Sequence, residues 1–504
     1  MGGISLNEDC SHYFFSRYGQ RIGEKELRNW VDQYADTQVK ELLLNPNAMR
    51  TSYASRVWEP IWQGYDPNGG LRQPLFAGLP EEERERVRQW VHTAWQLDRD
   101  GIDPYAVWVG RSRERGLSPW LSMRMNDVHN VDNERHPFHS RLWRERPELR
   151  RITHRFAQWT DRAFDYGREE VRRHHLRLVQ ELLERYDADG LELDWMRSAC
   201  HFRPGREAEG AELLTAFVDE VRQLLDRFAD KRGHAIRLGV RVPSRPQTAL
   251  GLGLDAVRWA RELLVDTVVV TPFYPTIETD MPIELWRQLL DGTGAVLAAG
   301  LELMLSPHPG YPVKQTNSLE TVRGAASAML ARGADRIYLF NYMDSETTID
   351  DAVDYPRLLR EVGDLETMRG KPRRHVVTYA DTWAPGEPAA AALPAQCRAG
   401  AHVQFRLPVG PETPPGNLTV IAAWEQEGDS AAPSAGDCDV WLNGEPCDAL
   451  GPAKPDKPRP NEPAFAYAVP LSAGGSGGYA VVDVRARHAL TVKWLEIRVS
   501  GHAC

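Results

Sequence analysis

Cysteine is scarce: six in 504 residues, at positions 10, 200, 397, 438, 447 and 504, with no CxxC pair, so neither a zinc ribbon nor a disulfide framework is expected. Cys438 and Cys447 are spaced to bridge a hairpin, but free thiols suit the chain better. No run approaches the ~20 uninterrupted apolar residues of a membrane helix. The opening MGGISLNEDCSHYFFSRYG also lacks the basic end and apolar stretch of an export signal, so a cytoplasmic protein without a membrane partner is expected. Positive charge is in deficit, with 61 Lys and Arg against 71 Asp and Glu, and the resulting net charge of −10 argues against a nucleic-acid partner. No GxGxxG follows a strand, no GxxxxGK[ST] occurs and no GxSxG elbow joins a strand to a helix. Dinucleotide, nucleotide and serine-hydrolase sites therefore lack support, and no cofactor is expected.

What is present is a packed-core composition: 42% hydrophobic residues with 16 Trp, 16 Tyr and 13 Phe, which excludes wholesale disorder. Up to about residue 370, short β-rich runs alternate with amphipathic helices. The strands are VKELLLNP (39–46), LSPWLSMRM (117–125), GLELDWM (190–196), IRLGVRV (236–242), DTVVVTPF (266–273), AVLAAGLEL (295–303) and DRIYLFNYM (335–343), with HYFFSR (12–17) as the eighth. Helices such as 168–186 and 207–228 fall between them. Eight βα units with a long insertion predict an α/β fold, a (β/α)8 TIM barrel over residues 1–370. Beyond it the helical signals stop. Strand-like runs separated by Gly, Pro and Asp turns predict a jelly-roll-like β-sandwich over 371–504, with PSAGD, GPAKPDKPRPNEP and SAGGSGG as surface loops.

In a barrel, polar residues at the C-terminal strand ends carry the functional reading. Alternation in GLELDWM turns Glu192 and Asp194 inward and packs Trp195 outward. Two inward carboxylates must be paired, protonated or used, and for Glu192 an internal salt-bridge network with the inward arginines is a better reading than a catalytic role. Arg124 and Asn126 face inward from LSMRMND, with Asp127, His129 and Asn130 in the loop beyond, while Arg197 and Arg241 add cations that could neutralise buried acids or contact a substrate. Glu302 ends AVLAAGLEL with small neighbours Ala298 and Gly300, as an ion-pair partner or a second catalytic acid. Asp194 on strand four and Glu302 on strand seven would stand roughly across the mouth, as a glycosidase pair does at about 5–5.5 Å for retention or 6.5–9.5 Å for inversion. Tyr274, Asn341 and Tyr342 at strand ends are candidate sugar contacts, and Asn47, with Asn45, could bind hydroxyls or simply make a turn. His136 and His139 in HPFHS have ligand-like spacing without a carboxylate partner, so no metal is expected and a solvated loop is the better reading. His174 and His175 are helix surface or packing residues.

DADGLELDWMR resembles the DGxDxDxE strand signature of family-18 chitinases, and the runs NAMRTSYASRVWEPIWQGYD, SMRMND and GLELDWMR are similar to the bacterial family-10-like glycosyl hydrolase group. Placed on the chitinase pattern, Asp189, Glu192 and Asp194 occupy the three Asp positions and Met196 the position of the catalytic Glu. A thioether donates no proton, so substrate-assisted hydrolysis through this strand is not expected and Glu302 gains weight. The resemblance implies a barrel glycoside hydrolase acting on a carbohydrate; the strand-end reading supplies Asp194 and Glu302 as its carboxylate pair and Glu192 as an orienting or auxiliary acid. The inward arginines admit an acidic sugar. The rivals are a carbohydrate-binding barrel that has lost its acid and a metal-dependent sugar-acid lyase or isomerase. Exposure of Trp424 or Trp441 would favour glycan binding by the sandwich. The oligomeric state is open.

Overall fold

A computed structural model describes residues 2–345, 348–411, 418–426, 432–453, 463–473 and 478–501; the central parts of the GPAKPDKPRPNEP and SAGGSGG runs lie outside them. Eight parallel strands close a barrel: β1 (Ile4–Glu8), β2 (Val39–Leu44), β3 (Ser118–Arg124), β4 (Gly190–Asp194), β5 (Arg237–Pro243), β6 (Thr267–Thr271), β7 (Val296–Glu302) and β8 (Arg336–Phe340). Seven match the sequence reading closely. The first does not: HYFFS is a short helix, His12–Ser16, and the barrel opens instead with ISLNE. In that strand Ile4 and Leu6 face the helical layer, while Ser5 and Asn7 bond to side chains inside the barrel. The aromatic residues mistaken for a strand pack outward, Tyr13 edge-on to Trp30 and Trp108 at 5.6 and 5.1 Å.

Alternation along the strands sorts the side chains as the sequence implies. Leu191 and Leu193 join the large core under the helices. Trp120, Val269, Ala298, Tyr338 and Phe340 fill the axis. Gly190 is required beside Trp120, because a Cβ there would lie 2.3 Å from the indole ring. Two long excursions, 45–117 and 125–189, leave the ends of β2 and β3 and bring the helix Glu81–Arg99 over that side of the barrel.

The C-terminal part is a sandwich of antiparallel sheets. One follows the order Arg373–Val376, Leu490–Val499, Leu418–Gln426, Ala464–Ala468, Asp448–Pro452, with Ala395–Cys397 beside Leu490–Val499; the other follows His402–Pro408, Tyr479–Ala486, Cys438–Leu442, Glu445–Pro446. Its interior is apolar, and Trp424 stacks on Phe465 at 4.6 Å. Trp441 is half-buried beside His402. Cys438 and Cys447 are free thiols.

The sandwich packs directly on the barrel. Ile421, Ala423 and Trp494 belong to the barrel's outer core. Helix Leu319–Ala331 approaches strand Arg373–Val376 so closely that a Cβ on Gly324 would sit 2.0 Å from the Arg374 carbonyl oxygen. Among the described residues no helix is long and apolar enough to cross a membrane.

Candidate active site

Strand register places Asp194, the last residue of β4, between Arg124 on β3 and Arg241 on β5. The Arg241 guanidinium donates to both Asp194 oxygens, at 3.2 and 3.3 Å, and lies 3.7 Å from the centroid of the Phe340 ring. Burial works against that charge, but Asp194, Tyr338 and Glu302 outweigh it and keep Arg241 protonated. Asp194 also accepts the backbone N–H of Met196 at 2.9 Å, which caps the short turn Trp195–Arg197. Glu192 lies one inward position deeper. It accepts from Ser122 Oγ at 2.6 Å, Tyr338 OH at 2.8 Å and Asn7 Nδ2 at 3.4 Å, so neutral donors from β3, β8 and β1 hold it in place of the expected arginines. Burial, then the neighbouring Asp194 charge, raises its affinity for a proton.

Glu302 ends β7 in register with Phe340. Its Oε1 accepts from Asn341 Nδ2 at 2.8 Å and from the Leu303 amide at 3.1 Å, while the buried Oε2 meets no donor in the described protein. Burial pushes this carboxyl up to about 7, against the pull of Arg241 and Asn341. Asn341 takes φ of 65°, a left-handed turn that asparagine tolerates. The next residue, Tyr342, then points away from the axis, where its OH donates to the Glu302 carbonyl at 2.9 Å. Tyr342 therefore braces the strand end from behind.

A second charged group lies over β1 to β4. Arg124 pairs with Asp9 and, at 3.1 Å, with Asp127; Asp127 receives His129 Nδ1 at 3.0 Å; and His129 Nε2 is 3.0 Å from Arg197 Nη2. Despite burial, His129, Arg124 and Arg197 hold Asp127 well below the usual carboxylate range, and Arg124 does the same for Asp9. Arg197 is buried, and its Nε and Nη1 find no acceptor in the described protein. Asp9 was missed because its strand was missed; Phe340 and Tyr338 were legible as inward positions of β8 but carried no charge to single them out.

Other expected contacts have different occupations. Asn47 donates to the Arg124 carbonyl at 3.0 Å and accepts the Arg124 amide at 3.3 Å, tying two strand ends together. Asn126 clamps both backbone groups of Phe164. Tyr274 is 43% exposed on the loop after β6. Met196, at the chitinase acid position, packs with Ala199, Leu252 and Ala384, and so serves as an apolar plug. Trp195 packs against Tyr166, His201 and Phe217 outside the barrel, as alternation implies.

His136 and His139 are not solvated. Both are buried, and burial pushes them down to about 3 and about 4, so they are neutral. With Trp90, Phe138, Asp9, Arg124, Asp127 and His129 they border a cavity of about 470 Å³ that opens beside the mouth. His174 stacks on Trp58 at 4.3 Å as a packing residue. Among the described residues no three His, Cys, Asp or Glu side chains converge as metal ligands.

No family model and no curated protein matches the chain. Among solved structures it is similar to the cycloisomaltooligosaccharide glucanotransferase of Paenibacillus sp., at 8% identity over 98% of this chain with a TM-score of 0.33, and it spans 57% of that chain's length. It is similar to the PgaB (BpsB) glycoside hydrolase domain of Bordetella bronchiseptica at 12% identity, covering 72% of this chain and 99% of that one, with a TM-score of 0.41. The alpha-L-fucosidase isoenzyme 1 of Paenibacillus thiaminolyticus matches at 12% identity over 96% of both chains, with a TM-score of 0.34.

Proposed function

We propose that the barrel mouth hydrolyses a glycosidic bond, with Glu302 protonating the leaving oxygen and Asp194 acting as the second carboxylate. The observation that carries this reading is Glu302 itself. It is fully buried at a C-terminal strand end, pushed up to about 7, oriented through Oε1 and left with an Oε2 that meets no donor among the described residues. A carboxyl that keeps its proton near neutrality is what a general acid needs. Arg241 stands beside both acids and keeps Asp194 paired, so the two carboxyl groups differ in environment, and therefore in role. Glu192, fixed from below by Ser122 and Tyr338, orients the centre. Arg197 Nε and Nη1, which meet no acceptor in the described protein, are cationic donors beside the centre, which favours a substrate carrying an acidic group such as a uronic acid.

The test is turnover of aryl glycosides and polysaccharides, uronic-acid polymers included, by the parent protein and by Glu302→Gln and Asp194→Asn. Turnover lost in both variants supports the carboxylate pair; turnover that survives Glu302→Gln sinks the assignment. A second reading, carbohydrate binding without turnover, draws on the Met196 plug and on an Asp194 whose oxygens are both turned to Arg241. Saturable binding without products would establish it.

A further inference from the structure

Two aromatic surfaces at the mouth are not used by the carboxylate centre. One is a rim beyond β6. Trp159, 53% exposed, lies 6.0 Å from the Phe273 ring, and Tyr274 stands exposed next to it. Trp383 joins the same side, half-buried, with the Arg245 guanidinium 5.2 Å from its ring centroid. Exposed aromatics on a loose loop would mean little, but these are braced. The chain leaving strand Arg373–Val376 runs back across the barrel, and its half-buried Asp381 accepts the backbone N–H groups of Phe273 and Tyr274 at 2.8 and 2.9 Å. Ala384 packs on Met196 and Leu252, and Glu387 accepts from Thr248 Oγ1 at 2.8 Å. The other surface is the cavity over β1 to β3, where Trp90, Phe138 and Phe15 contribute rings and His136 and His139 contribute neutral nitrogen atoms. Its ~470 Å³ falls in the ~300–1,000 Å³ range of ligand sites.

In a closed ring of eight strands β6 stands opposite β2, so rim and cavity flank the mouth on opposite sides. Asp194, Arg241, Phe340 and Glu302 lie between them on β4, β5, β8 and β7. A single sugar would use one of these surfaces and leave the other idle. A chain crossing the mouth would use both, with apolar pyranose faces on the rings and hydroxyls toward the polar centre.

We propose that the ligand is a glycan chain several sugars long, lying across the mouth from the Trp159–Tyr274–Trp383 rim to the Trp90–Phe138 cavity, with the cleaved bond internal to the chain. The segment 377–387 is thereby part of the binding site, and the sandwich that anchors it serves polymer recognition through the barrel. This rests on the mouth being a carbohydrate site, and its test separates the two claims.

Calorimetric titration of Glu302→Gln with neutral and uronic-acid oligosaccharides from disaccharide to octasaccharide should show affinity rising with chain length. Adding Trp159→Ala should weaken octasaccharide binding about tenfold and flatten the rise, and Phe138→Ala should do so from the cavity side. Trp159 is exposed enough for its variant to fold. Affinity independent of length, octasaccharide binding unchanged by both variants, or no binding to any of the sugars would overturn the proposal. Turnover by the parent protein is scored in parallel. Length-dependent binding without products would end the hydrolase reading, and internal cleavage with it, and keep the spanning site; products with flat binding would overturn the spanning site and keep the hydrolase reading.

Discussion

The two cores of this chain are opposites. The sandwich interior is built from Val420, Trp424, Val440, Phe465, Val482, Val484 and Leu495, an apolar filling that is stabilising by itself. Inside the barrel, Asn7, Glu192, Asp194, Arg241 and Glu302 occupy a layer just as buried. Burying those groups costs stability unless each is paired, and some are left short of partners: among the described residues Glu302 Oε2 and Arg241 Nε have none. One core therefore serves folding, and the other carries a stability cost of the kind that functional sites commonly bear.

The contrast can be broken in order of expected effect. Glu302→Gln should lower turnover by about 10²- to 10⁴-fold, the usual worth of a positioned general acid, read as kcat on an aryl glycoside. Next, Arg241→Ala leaves Asp194 buried without its cation and should cost about 3–5 kcal/mol in denaturant unfolding. The paired replacement Asp194→Leu with Arg241→Met should recover most of that loss while abolishing turnover, which no simple packing role predicts. Trp424→Ala in the apolar core should cost a similar ~3–5 kcal/mol, with turnover retained by the molecules that remain folded.

The smallest effect concerns pH. Glu302 titrates at about 7 in the folded protein against an ordinary 4.5, so the ionised form disfavours folding. Its contribution is harmless below about pH 4.5, where both states are protonated, and stability is lost as pH rises through about 7, reaching about 3 kcal/mol. Unfolding midpoints from pH 5 to 9 should fall less steeply in Glu302→Gln than in the parent protein. An equal slope would place the raised proton affinity elsewhere. The same titration requires turnover to decline above about pH 7, as the acid loses its proton.

Much of the barrel was legible because its strands alternate and its helices repeat. The inward set Arg124, Glu192, Asp194, Arg241 and Glu302 follows from that alternation. ISLNE escaped notice because two apolar residues in five carry little periodic signal, while the aromatic HYFF nearby has strand-like composition and packs as a helix. The burial of His136 and His139 is not legible in HPFHS, because nothing local shows that the helix Glu81–Arg99, some forty residues earlier in the chain, folds over them. Asp381 carried no signal at all: it lies in an Ala/Pro-rich connector, and its partners Phe273 and Tyr274 are over 100 residues away.

Which side chains face the axis is a local matter, decided by the two-residue repeat of each strand and readable without any partner. Which of them meet is not. Asn7 reaches Glu192, Asp9 pairs with Arg124, and Asp381 caps the loop after β6 only because the ring closes and the sandwich docks on it. Closure also removes water from the mouth. That desolvation, acting on residues brought together from distant parts of the chain, raises the Glu302 carboxyl to about 7, the property on which its proposed role as proton donor rests.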